Sequence, residues 1–182
     1  LGAFSLSLMM ATHTIHQNWY LASIYFFLHF QYNGWFFFVC MGLITQYLLR
    51  LGVISNTDNK VFALFVTSCI PAYFLSALWL PIPILAYIVV AMAAFAQVIG
   101  WIIFVKGLYN KKHLLVENIS KPAKIILSIS AAALSIKLLL QLGSVYPPLS
   151  ILALGFRPTV IGYLHLVLLG VITLFLIGYM VS

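Results

Sequence analysis

Charge is what this sequence has least of. Of its 182 residues only 6% are charged and just two are acidic, where a soluble domain carries roughly a quarter charged residues. The first formal charge is Arg50, and residues 1–49, 61–105 and 158–182 carry none. Each of those runs holds at least one stretch of the about 20 apolar residues that a spanning helix needs. The alternation of about ten-residue segments that marks a β-barrel is missing. Cysteine is scarce as well. Cys40 and Cys69 lie in apolar segments, without the neighbours of a metal cluster, and read as small packing residues rather than a disulfide framework. With no basic region before it, the stretch 1–10 is not expected to be a signal peptide. That stretch is too short to span and reads as the end of an earlier helix, so the chain is expected to be a portion of a longer membrane protein.

What is present is apolar and aromatic: 64% hydrophobic residues and 15% aromatic. The pattern defines an all-α, polytopic transmembrane bundle in one domain, of about five spanning helices near residues 18–50, 61–80, 84–105, 122–142 and 158–181. The partner of such a surface is the lipid bilayer. The net charge of +7 does not point to nucleic acid, because the basic residues sit in connections between apolar segments. Arg50, Lys60, Lys106, Lys111, Lys112, Lys121 and Lys124 all belong to the connections 51–60 and 106–121 or their borders, and Arg157 stands alone on the other side. The positive-inside rule makes the first group cytoplasmic. Within the helices, Asn33-Gly34 is the expected kink of the long first one, and Pro71 is expected to bend the second.

Few polar residues interrupt the apolar runs, and each needs a partner, since an unsatisfied polar group in hydrocarbon costs several kcal/mol. His29 lies in YFFLHFQYNGWFFF, about 31 Å from Arg50 on the helical rise. Lys137, about 20 Å beyond Lys124, is the one charge inside a membrane segment, with Gln141 a turn further on and Ser130 two turns before. Such a lysine either faces the bundle interior or snorkels outward past Gln141. His165 lies about 12 Å from Arg157. His29, Lys137 and His165 are thus expected to converge in the outer third of the membrane. A histidine there can ligate haem or a metal, relay protons, or simply satisfy its hydrogen bonds. Gly162 and Gly170 would let a flat group or another helix approach His165. His13 and His16, with Tyr20 one turn after His16 in HQNWY, are metal-ligand candidates by spacing only. They read first as a surface loop.

Two stretches carry a family resemblance. YLHLVLLG, from Tyr163 to Gly170, resembles the tenth helix of haem-copper oxidase subunit I, where a His-aromatic-His pair ligates both haems. YFFLHFQYNGWFFF, together with SIKLLLQ around Lys137, looks like a bacterial membrane family similar to that subunit. The resemblance implies a haem-binding protein of the bacterial inner membrane, possible oxidoreductase chemistry, and other membrane subunits or an electron donor as partners. It makes His165 the ligand of the low-spin haem, with Tyr163 in place of the other histidine, and gives Lys137 a propionate or a proton to handle. His29 is the second ligand candidate and Gln141 completes the group. The sequence departs from the family at the copper site: no His-His pair is present, and HQNWY matches the copper-tyrosine motif in spacing alone. Two further functions fit the same residues. One is a proton- or anion-conducting transporter or channel lined by Lys137, Gln141, His29 and His165. The other is a structural subunit whose polar groups only hold helices together.

Overall fold

The computed structural model describes residues 1–14, 16–53, 59–78, 82–150 and 156–182, the side chain of Arg157 excepted. Among them every regular element is a helix. Helix α1 (Gly2–Ala11) folds back against α2, a continuous rod over residues 17–50 about 50 Å long. The fit is close: a Cβ on Gly2 would stand 2.7 Å from the carbonyl oxygen of Ser23. Next come α3 (Asn59–Ala77), α4 (Ile84–Asn110), the short α5 (Lys112–Asn118), α6 (Lys121–Gly143) and α7 (Pro158–Val181). Helices α3, α4, α6 and α7 are long and apolar enough to cross a membrane. The α2 rod has the length, but it carries Gln31, Asn33 and Gly34 at its middle and is less apolar than those four.

Two boundaries differ from expectation. Helix α4 continues to Asn110, because Lys106 can lay its methylene stem along the apolar surface and hold only its ammonium in water. Much of the basic connection after it is itself helical, as α5. At the expected kink, Asn33-Gly34, the structure has a π-helical turn, Phe30–Phe36, within a helix that continues to Arg50. Pro71 removes the bond to the carbonyl of Thr67, and two residues past it α3 tightens into a 3₁₀ turn at Tyr73–Ala77. Part of the connection after Arg50, residues 79–81 of the turn before α4, and residues 151–155 lie outside the described residues.

Helix α3 lies along α4, α4 against α6, and α6 against α7, while α2 bridges from the end of α3 to α7. Lipid offers apolar side chains nothing worse than a neighbouring helix does, so close approach and buried polar bonds must hold the seams. The α6–α7 seam uses both. A Cβ on Gly170 would meet that of Ala133 at 3.2 Å, and one on Gly178 would meet Leu127 at 2.9 Å. Between them Ser130 Oγ donates to the Val171 carbonyl at 2.8 Å. Two bonds fix which helix ends lie together: Lys111 Nζ donates to the carbonyl of Gly52 at 3.2 Å, and Ser120 Oγ to that of Val181 at 3.0 Å. The two basic connections therefore share one end of the bundle.

Candidate functional site: a buried amine between two cavities

Lys137 is 5% exposed and does not snorkel. Its Nζ donates to Gln141 Oε1 at 2.6 Å, and Gln141 Nε2 donates to Gln97 Oε1 at 2.8 Å. Helical spacing explains the first bond, since residues four apart are stacked on one face. Packing of α4 on α6 supplies the second. All three side chains are buried, and among the described residues Lys137 has no other hydrogen-bond partner and no carboxylate.

Two cavities flank this chain of bonds. One, of about 370 Å³, has Lys112 and Lys124 at the basic end and reaches past Met41 and Trp101 to Lys137. The other, of about 590 Å³, runs from the opposite end, at Ser144 and Thr159, inward to Gln141, His29 and Tyr163. Tyr32, Asn33 and Val167 line both. Those three residues lie in π-helical turns: Phe30–Phe36 of α2 and a second one, Leu166–Thr173, of α7. The two turns touch one another. A π turn holds one residue more than the α-helical pattern allows, which displaces its side chains, and such turns are frequent at functional sites. In α7 the Thr173 hydroxyl bridges the widened turn by donating to the Leu168 carbonyl at 2.8 Å.

His29 is buried at the far cavity's wall. Its Nε2 lies 2.9 Å from the Cys69 carbonyl oxygen, which can only accept, so Nε2 carries the proton. Nδ1 then accepts from Asn33 Nδ2 at 3.4 Å. Phe30 and Tyr73 meet the ring edge to face. Both nitrogens are engaged, and His29 ties α2 to the distorted turn of α3 near Pro71.

The expected meeting of His29, Lys137 and His165 is corrected in one member. His165 is exposed on the outside of α7. Counting residues from Arg157 gave its height but not its azimuth. Buried Val167 is two residues on, about 200° around the helix, so the inward face of α7 at this level excludes residue 165. Its Nδ1 donates to the Ile161 carbonyl at 2.8 Å, leaving Nε2 with a free lone pair turned away from the bundle. Tyr163 does line the far cavity with Gln141 and His29, half-buried, its hydroxyl without a partner among the described residues. Gly162 meets nothing within 4 Å, whereas Gly170 admits α6. His13, at φ 52° in the turn after α1, and His16, the residue before α2, are both exposed. Among the described residues no three His, Cys, Asp or Glu side chains gather as a metal would require.

Sequence reasoning missed Gln97. It is the one amide within the apolar run of α4, and the criterion that singled out Lys137 would have found it. Asn33 was noticed as a kink, not as the partner of His29.

The chain matches no family model, no curated protein and no solved structure. What the fold defines is an all-α, membrane-embedded helix bundle. Its resemblance to haem-copper oxidase subunit I rests on the quoted motifs alone.

Proposed function

We propose that this protein passes a small charged species through its helix bundle, the basic end facing the cytoplasm of a bacterial cell. One observation carries the reading: two cavities from opposite ends meet at Tyr32, Asn33 and Val167, with buried Lys137 on one and its hydrogen-bond partner Gln141 on the other. A buried cation is costly, and in membrane segments such residues mark ion and substrate pathways. A structural subunit would gain as much from an apolar pair and would need no cavity beside it. Sealed vesicles containing the full-length protein test the reading. Charge flux under an imposed potential is expected, and flux equal to that of protein-free vesicles overturns it.

A second reading is haem ligation by His165, as the family resemblance implies. The bond from Nδ1 to the Ile161 carbonyl favours it, because ligating histidines usually hold their other nitrogen by such a bond. In this reading the exposed face of α7 meets another subunit or a further part of the chain, and Lys137 serves a proton path to the haem. Purified full-length protein would then show a Soret band that His165→Ala removes. A spectrum without any haem absorption rules it out.

A further inference from the structure

We infer that the basic-end cavity is a binding site for a small, weakly hydrated monovalent anion of the nitrate or iodide type, seated at Lys137. The inference deepens the proposed conduction and rests on it. The argument begins with the missing counter-charge. The whole chain has two acids: Asp58, in the connection after α2, and Glu117, exposed on α5 at the basic end. None is available inside the membrane segments, so among the described residues the Gln141 carbonyl oxygen is the one hydrogen-bond acceptor that Lys137 meets. A buried ammonium with one neutral acceptor is left with unmet attraction for an anion.

The route to it has one sign of charge. Lys112 and Lys124 stand at the mouth and Lys137 at the inner end, with no acid among the described residues that line the space between. The mouth lysines are held by partners of their own, the Tyr109 ring for Lys112 and the Val116 carbonyl for Lys124. Lys137 is the buried one of the three, so its remaining N–H donors have no bulk water to meet. Same-sign charges in a cleft with low-dielectric walls raise the local concentration of counter-ions and exclude cations. The remaining wall is apolar and aromatic, including Phe37, Met41, Trp101 and Phe104. Such a wall replaces little of an ion's hydration, which selects anions that lose water easily. Protons are served less well, because the groups next to Lys137 are the carboxamides of Gln141 and Gln97, which hand protons on poorly.

Trp101 lines the cavity and its indole N–H is fixed on Ser135 Oγ at 2.8 Å, which makes it a reporter. The experiment is fluorescence quenching of the full-length protein in detergent, by iodide and by caesium, with Trp101→Phe used to isolate the signal of Trp101. Iodide should quench that signal and caesium should not. Lys137→Met should weaken iodide quenching at least fivefold, while Lys137→Arg should keep it and so control for folding. Equal quenching by both ions, or iodide quenching that Lys137→Met leaves unchanged, overturns the anion site. Proton flux in vesicles without iodide access overturns this inference alone. Absence of any flux overturns the conduction reading beneath it.

Discussion

Lys137→Met is expected to lower charge flux through the bundle at least tenfold while leaving the protein folded. Methionine has nearly the length of lysine and none of its charge, so the space stays filled and the need to hold an ammonium in a low-dielectric interior disappears. The relief from burying an ammonium offsets the cost, about 1–3 kcal/mol, of leaving Gln141 Oε1 without its donor. Gln141 loses one donor, but its Nε2 still reaches Gln97 Oε1. Circular dichroism and thermal unfolding in detergent check the fold, and vesicle flux checks the function. Unchanged flux in a folded Lys137→Met protein would remove Lys137 from the path.

Gln141→Leu should do the reverse to stability. It removes the only acceptor of Lys137 among the described residues and the partner of Gln97 in one step. Stranding a buried charge and a buried amide costs about 3 kcal/mol or more, several times the value of an ordinary hydrogen bond. The double variant Lys137→Met/Gln141→Leu should recover most of that loss. The two changes share a partner, so their effects are expected to be strongly non-additive, and thermal unfolding of both singles and the double measures the coupling. A double variant no more stable than Gln141→Leu would mean that the amine does not depend on Gln141.

The long helices were legible in the sequence because hydrocarbon leaves the backbone no other way to satisfy itself: residues 122–142 and 158–181 emerge as Lys121–Gly143 and Pro158–Val181. Lys137 was legible because one charge among apolar residues is conspicuous. The facing of His165 was not, since a helix buried on one side and bathed in lipid on the other shows no polar-apolar alternation to give its azimuth. Both π turns were hidden for a different reason. They depend on how α2 and α7 pack, and Asn33-Gly34 gives only a weak local hint of the first. The chain from Lys137 through Gln141 to Gln97 was half legible: the i, i+4 pair follows from spacing, while Gln97 arrives from another helix by packing alone.

The central claim is that the two cavities open to opposite ends of the bundle, the basic-end one reaching Lys137 and the far one reaching Gln141. Single cysteines placed at Met41 and at Ser144, in protein with Cys40 and Cys69 changed to alanine, measure this by labelling with a membrane-impermeant maleimide in oriented vesicles. Met41 lines the basic-end cavity and Ser144 the far one. The cysteine at 41 should label only from the basic end and the cysteine at 144 only from the other. Labelling of both from the same side, or of neither from either side, would contradict the account.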